Sequence, residues 1–190
     1  MPGPVGILGG TFDPVHNAHL AFAGAALRVL DAERILWMPT GRPGYREPAI
    51  APAHDRVAML RLALADDRLG GGRYVIDERE LAPGASGFTI DTVQALLAEY
   101  PGTEFVLLMG ADQYDKREGW HRWAELQKLC AVAVAARPGA AAVHGARVVP
   151  MTPLAISASD IRARLARGED VSAMLPAPVL HYIREKGLYR

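Results

Sequence analysis

The stretch GGTFDPVHNAHL at residues 9–20 constrains the fold of this chain more than any other. It follows an apolar run at residues 5–8 and leads into an alanine-rich helical pattern at residues 18–30. A strand, a glycine turn and a helix start form the first βα unit of a nucleotide-binding α/β fold. The paired glycines Gly9 and Gly10 let backbone N–H groups approach a phosphate, and the helix N-terminus adds a positive dipole end. The sequence therefore predicts an anion-binding turn here.

Two histidines in this stretch are candidates for contact with that anion. His16 and His19 are three positions apart, so a helix that has begun by His16 places both on one face. The stretch is not a P-loop, because no Gly-Lys-Ser/Thr follows, and it is not the GxGxxG dinucleotide fingerprint. Zinc binding by HxxH lacks a third ligand at a recognisable spacing. A glycine turn followed by two surface histidines is the remaining alternative.

Strand-like and helix-like patterns alternate along the rest of the chain. Runs typical of buried strands occupy residues 34–39, 74–76, 104–110, 130–136 and 147–149. Helical spacing occupies residues 54–65, 89–100, 120–128, 159–167 and 176–186. Thr89 is a candidate cap for the N-terminus of the second of these helices. The alternation predicts an α/β fold with a doubly wound parallel sheet and C-terminal helices, in a single domain over residues 1–190. Ligands of such sheets bind beyond the carboxyl ends of the strands, so we expect one shared cleft there.

Composition excludes several other classes of protein. The chain has 190 residues, of which 50% are hydrophobic and 22% charged, as in ordinary globular proteins. Because 21 basic residues balance 21 acidic ones, we expect neither nucleic acid nor membrane as a partner. The single cysteine, Cys130, lies in an apolar run and fits a reducing compartment. With no signal peptide or spanning segment evident, we expect a cytoplasmic protein, while its oligomeric state stays open.

Residues 9–20 resemble the GG(S/T)FDPxHxxH signature of the nucleotidyltransferase superfamily, in the form carried by bacterial nicotinate-nucleotide adenylyltransferases. The stretch ISASDIR at residues 156–162 is similar to that family's second signature, ISxxxIR. Residues 175–190 are similar to its C-terminal ending, for which we expect a packing role and no chemistry. The resemblance covers essentially the whole chain and implies a Rossmann-like nucleotidyltransferase fold. It also implies transfer of AMP from ATP to nicotinate mononucleotide, which gives deamido-NAD and pyrophosphate, with Mg²⁺ bound together with ATP.

The same resemblance implies the roles of individual residues. Catalytic residues would be His16, His19 and Arg162. Residues binding ATP would be Gly9, Gly10, Thr11, Phe12, Arg46, Arg137 and Ser157. Residues binding the acceptor would be Thr89, Gly110, Asp112 and Trp120, the last by stacking on the pyridine ring. No cluster of carboxylates for a metal is apparent, so the nucleotide itself would hold most of the Mg²⁺ coordination. Asp13 would instead orient the turn.

One loop departs from the family pattern. Many members carry Pro-Pro-His-Lys or Pro-Pro-His-Arg after the second strand, where the basic residues contact nucleotide phosphates. Here Tyr45 stands at the histidine position and Gly44 at the second proline. We expect phosphate binding by this loop to persist through Arg46, with more mobility at Gly44.

Other interpretations stay open at this point. Ser157 fits an ordinary helix cap, Arg137 fits a solvated arginine, and Trp120 and Trp123 have the spacing of two core residues. A different acceptor, either nicotinamide mononucleotide or phosphopantetheine, would use the same adenylyl chemistry. A nucleotide-binding module without turnover would bind ATP yet release no pyrophosphate.

Overall fold

The structure is a computed structural model of the chain and describes residues 3–41, 48–66, 70–136, 145–152 and 154–190. Four residues discussed above, Gly44, Tyr45, Arg46 and Arg137, lie outside the described residues. Their assignments therefore stay predictions.

Six strands of the described chain form one sheet in which every neighbouring pair is parallel. The strands are β1 (Val5–Gly10), β2 (Arg34–Pro39), β3 (Tyr74–Ile76), β4 (Phe105–Met109), β5 (Ala131–Ala136) and β6 (Arg147–Pro150). Their order is β3-β2-β1-β4-β5-β6, so the chain reverses its direction of winding between β1 and β4. This is the doubly wound arrangement predicted from the sequence, and its ligand crevice lies at that reversal.

Helices cover both faces of the sheet. They are α1 (Asn17–Val29), α2 (Ala53–Leu64), α3 (Thr89–Glu99), α4 (Ala111–Asp115), α5 (Trp123–Leu129), α6 (Ala158–Ala166) and α7 (Ala177–Lys186). Leu8 belongs to a buried cluster with residues of α1, α2, α6 and α7, whereas its neighbour Ile7 belongs to a second cluster with residues of α3 and α5. Because both faces are buried, the strands read as continuous apolar runs.

Two local predictions need correction. The helix predicted at residues 120–128 begins at Trp123, after Arg122 in the left-handed conformation (φ 54°), and the short helix α4 precedes it. Thr89, expected as the possible cap of its helix, is the first helical residue, and Phe88 occupies the cap position. Five residues such as those of α4 are too few to show a helical period in sequence.

Two further findings bear on the expectations from composition. Cys130 is a buried free thiol, and burial raises its pKa to about 11, so it stays protonated at neutral pH. Nowhere in the described ranges is there a helix with the length and hydropathy needed to cross a membrane.

Candidate active site

A cleft of about 1090 Å³ opens where β1, β4 and β5 end. The N-termini of α1, α3 and α6 meet at this cleft, so three helix dipoles present their positive ends to it. Every predicted site residue that the structure describes lines the cleft: Gly9, Gly10, Thr11, Phe12, His16, His19, Thr89, Gly110, Asp112, Trp120, Ser157 and Arg162. The single shared cleft expected from the strand ends is therefore present.

The two glycines do not form the predicted turn. Gly9 and Gly10 are the last residues of β1, with Gly10 paired in register with Pro39 of β2. The chain turns later, after Phe12, which has a positive φ of 50°. A Cβ on Gly10 would come within 3.1 Å of the Phe12 ring, so the close return of the chain explains the glycine. The glycine backbone that lines the cleft thus belongs to a strand.

Phe12 supports the site from beneath. Phe12 is only 2% exposed, and its ring packs edge-on against His19 with ring centroids 5.1 Å apart. The ring also packs against Trp37 in a tilted arrangement, with centroids 5.5 Å apart. Because the ring is buried, Phe12 contributes mainly its backbone to the cleft lining.

His16 and His19 form a stacked pair at the start of α1. His16 is the cap residue of the helix, and the two imidazole rings stack with centroids 3.7 Å apart. The backbone N–H of His16 donates to Nδ1 of His19 at 3.2 Å. Neutral His19 therefore carries its proton on Nε2, which leaves that nitrogen as a hydrogen-bond donor. Nδ1 of His16 is buried without a hydrogen-bond partner in the described part of the chain.

Burial keeps both imidazoles neutral at pH 7. It lowers the pKa of His16 from 6.5 to about 4, and it lowers the pKa of His19 well below 6.5, with repulsion from the stacked His16 acting in the same direction. In the unliganded site the pair can therefore donate hydrogen bonds but brings no positive charge.

The carboxylate of Asp13 fixes the loop between β1 and α1 through hydrogen bonds to distant parts of the chain. Its side chain is 4% exposed. Oδ2 accepts from the backbone N–H of Ile50 at 2.8 Å, and Oδ1 accepts from the backbone N–H of Ala51 at 3.1 Å and from the Tyr189 hydroxyl at 2.6 Å. The sequence suggested only that Asp13 orients the turn, because its partners lie far away in the chain.

Arg162 joins the second signature to the first. Its Nη1 donates to the backbone carbonyl of Asp13 at 2.7 Å and lies 3.9 Å from the Asp13 carboxylate. Its Nε is buried and has no hydrogen-bond partner among the residues described here. The predicted helix cap is also confirmed, since Oγ of Ser157 accepts from the backbone N–H of Asp160 at 3.2 Å.

Arg56 is a structural residue that sequence reasoning missed. It is 2% exposed, and its Nη1 donates to the carbonyls of Thr11 at 2.6 Å and Thr40 at 3.0 Å. These carbonyls belong to the segments that leave β1 and β2, so one guanidinium ties the two segments together. Burial lowers the pKa of Arg56, and the nearby carboxylate of Asp13 opposes that shift. A cation within the helical pattern of residues 54–65 was the available signal.

The predicted acceptor residues lie on the α3 and α4 side of the cleft. Trp120 is half-buried at the cleft, whereas Trp123 is only 8% exposed and belongs to the core. The core interpretation is thus confirmed for Trp123.

Sequence reasoning missed Glu80, which lines the same cleft and accepts from Oγ1 of Thr92 at 2.8 Å. Burial raises the pKa of its carboxyl group.

The described residues offer no ready-made metal centre. Within the part of the chain that the structure covers, no group of three or more His, Cys, Asp and Glu side chains is placed to hold a metal ion. Asp13, the acidic residue of the first signature, already accepts hydrogen bonds on both carboxylate oxygens.

Comparisons with known proteins agree with this geometry. The model of the protein family described as cytidylyltransferase-like matches residues 7–164 of this chain. A Bordetella petrii protein named "Probable nicotinate-nucleotide adenylyltransferase" is 41% identical over 199 residues, covering 98% of each chain. An Anaeromyxobacter protein (strain K) with the same name is 41% identical over 187 residues, covering 98% of this chain and 96% of its own.

A solved structure shares the fold. It is titled "Plasmodium falciparum nicotinic acid mononucleotide adenylyltransferase complexed with NaAD" and superposes with a TM-score of 0.84, covering 98% of this chain and 97% of its own. At 17% sequence identity, this likeness concerns the fold.

Proposed function

The chain belongs to the cytidylyltransferase-like family, and we propose that it acts, as its full-length relatives are named, as a nicotinate-nucleotide adenylyltransferase. It transfers the adenylyl group of ATP to nicotinate mononucleotide, which yields deamido-NAD and pyrophosphate. One observation carries this proposal most directly: the two signatures, from opposite ends of the chain, meet at one cleft through the 2.7 Å hydrogen bond from Arg162 to Asp13.

The reaction is a displacement at the α-phosphorus of ATP. A phosphate oxygen of the acceptor forms the new bond to that phosphorus while the bond to the β-phosphate oxygen breaks, and pyrophosphate leaves with the electron pair. Such chemistry needs no protein nucleophile. It needs positioning of two phosphates and stabilisation of the charge that develops between them.

His16 and His19 supply that stabilisation as neutral hydrogen-bond donors. Their place at the first turn of α1 puts them beside the positive end of the helix dipole. The Nε2 proton of His19, fixed by the hydrogen bond at Nδ1, is available to an oxygen of the transferring phosphate. A preorganised donor of this kind contributes about 100- to 1,000-fold in rate.

Arg162 and Ser157 bind the β- and γ-phosphates at the N-terminus of α6. Arg162 retains an unpaired buried Nε, and the first turn of α6 offers backbone N–H groups. Arg46 and Arg137 stay predicted partners of the same phosphates. Mg²⁺, when bound with ATP, neutralises charge on the leaving pyrophosphate. Because Asp13 is already engaged by hydrogen bonds, we assign the ion to oxygens of the nucleotide.

The acceptor binds on the α3 and α4 side of the cleft. The first turn of α3, at Thr89, is a receptor for the carboxylate of the pyridine ring. The half-buried Trp120 offers a ring face to the pyridinium, and Gly110 and Asp112 are placed for the ribose.

Pyrophosphate release from MgATP tests this proposal. We expect strong release with nicotinate mononucleotide, little with nicotinamide mononucleotide or phosphopantetheine, and almost none in His19→Ala. Equal use of acid and amide would overturn the acceptor assignment and leave the adenylyl chemistry intact. If no pyrophosphate is released with any of these acceptors, although ATP binds, the result would favour a non-catalytic nucleotide-binding module.

A further inference from the structure

The C-terminal end of the chain reaches the back of the phosphate site. Sequence similarity alone gave this end a packing role, yet Tyr189 does more than pack. It is 7% exposed, and its hydroxyl donates to Oδ1 of Asp13 at 2.6 Å across 176 residues of sequence.

The backbone after α7 is shaped to deliver this side chain. Gly187 ends the helix in the left-handed conformation, and the N–H of Leu188 returns to the carbonyl of Ile183 at 3.0 Å. Tyr189 also has a positive φ, 64°, which is unfavourable for a residue with a Cβ. Such a conformation persists only where the surroundings determine it, and the buried bond to Asp13 is one such determinant.

Asp13 links Tyr189 to the phosphate-binding groups. Its backbone carbonyl accepts a hydrogen bond from Nη1 of Arg162 at 2.7 Å, and Oδ2 of its carboxylate, the oxygen that Tyr189 does not bond, lies 3.9 Å from the same nitrogen. The guanidinium of Arg162 therefore faces two anions once ATP is bound: the buried carboxylate and the triphosphate. Hydrogen bonds to the carboxylate decide how strongly it competes for Arg162.

We propose that Tyr189 is a positioning residue for ATP: its hydroxyl bonds Oδ1 of Asp13, draws negative charge from the whole carboxylate and thereby leaves Arg162 available to the nucleotide phosphates. The inference rests on the proposed function, because it takes ATP as the ligand of the cleft. Without this donor, the carboxylate keeps two backbone N–H partners. Arg162 then turns toward the carboxylate, away from the phosphates.

The chain provides a matched control in Tyr182. This residue lies on α7, is half-buried, and donates its hydroxyl to Oδ1 of the buried Asp55 at 2.8 Å. Neither Tyr182 nor Asp55 lines the cleft. Tyr189→Phe and Tyr182→Phe each remove one hydroxyl bonded to a buried aspartate and keep the aromatic ring, so both variants should fold.

Calorimetric titration with MgATP and steady-state kinetics compare the wild type with the two variants. We expect Tyr189→Phe to raise the Kd for MgATP and the KM for ATP about tenfold, while the KM for nicotinate mononucleotide changes less than about twofold. Tyr182→Phe should leave all three constants unchanged, although urea unfolding should report a loss of stability similar to that of Tyr189→Phe.

Unchanged ATP binding in Tyr189→Phe would overturn the proposal, and so would equal weakening of ATP binding in both variants. A wild-type protein that binds MgATP and releases no pyrophosphate would refute the reaction proposed above. In that case the calorimetric comparison would still decide the role of Tyr189.

Discussion

The stacked histidines predict an acid-dependent loss of stability in the absence of nucleotide. In the unfolded chain His16 titrates near 6.5, whereas burial in the native site lowers its pKa to about 4. At a pH between these two pKa values, His16 is protonated in the unfolded state and neutral in the folded state. The free energy of unfolding therefore falls as the pH drops through 6.5 toward 4. Above pH 6.5 His16 is neutral in both states and causes no loss of stability.

The size of this effect follows from the difference between the two pKa values. A gap of roughly 2.5 units corresponds to about 3 kcal/mol once the pH is below both values. At pH 5, where the folded imidazole is still neutral, the loss attributable to His16 is about 2 kcal/mol. His19 adds to it, because its pKa is lowered by burial and by the stacked neighbour.

Urea unfolding at pH 7.5 and pH 5, without nucleotide, measures this loss in the wild type and in His16→Gln. The variant has no imidazole at this position, and His19 is released from repulsion by His16. We expect the wild type to lose about 2 kcal/mol more than the variant between the two pH values. His181→Gln, which removes an exposed imidazole, controls for the loss of a histidine as such. Equal losses in wild type and His16→Gln would refute the neutral-pair argument.

Four further substitutions test the assignments in and beside the cleft. His19→Ala should lower kcat for pyrophosphate release about 100- to 1,000-fold, and an unchanged kcat would remove His19 from the transition state. Ser157→Ala should cost about 1 kcal/mol in urea unfolding through the lost helix cap and should also raise the KM for ATP; a change in stability alone would make Ser157 an ordinary cap. Trp120→Ala should raise the KM for nicotinate mononucleotide and leave that for ATP unchanged. Trp123→Ala should instead destabilise the fold by about 3–5 kcal/mol, so a raised acceptor KM in the Trp123 variant would contradict the division between them.

The sheet could be predicted because its four inner strands, β1, β2, β4 and β5, are mostly buried and therefore read as apolar runs. The bounds of β2, Arg34–Pro39, and of β3, Tyr74–Ile76, agree with the runs read from the sequence. The glycine pair was misplaced because Gly-Gly is a turn signal in isolation. The register that pairs Gly10 with Pro39 is a property of two strands and cannot be read from one segment.

The candidate site was predictable on the side that faces the ligand and obscure on the side that faces the core. His16, His19 and Arg162 were predicted from local motifs, and all three line the cleft. The side chain of Asp13 bonds residues that lie 37 to 176 positions away in the sequence. The side chain of Arg56 bonds residues that lie 16 to 45 positions away. No local pattern encodes such distances, so these residues become interpretable only when the strand ends converge.

The balance of charge in the cleft gives a physical reason for two of the predictions that lie outside the described residues. Arg162 is the one guanidinium among the described residues lining the cleft, and no lysine accompanies it there. Because the histidine pair is neutral, one guanidinium and three helix N-termini face a polyanionic triphosphate. With about half a positive charge at each helix N-terminus, this fixed charge does not balance the negative charge of a triphosphate. The proposed site therefore needs cations from elsewhere, which is the role predicted for Arg46, Arg137 and the Mg²⁺ that accompanies the nucleotide.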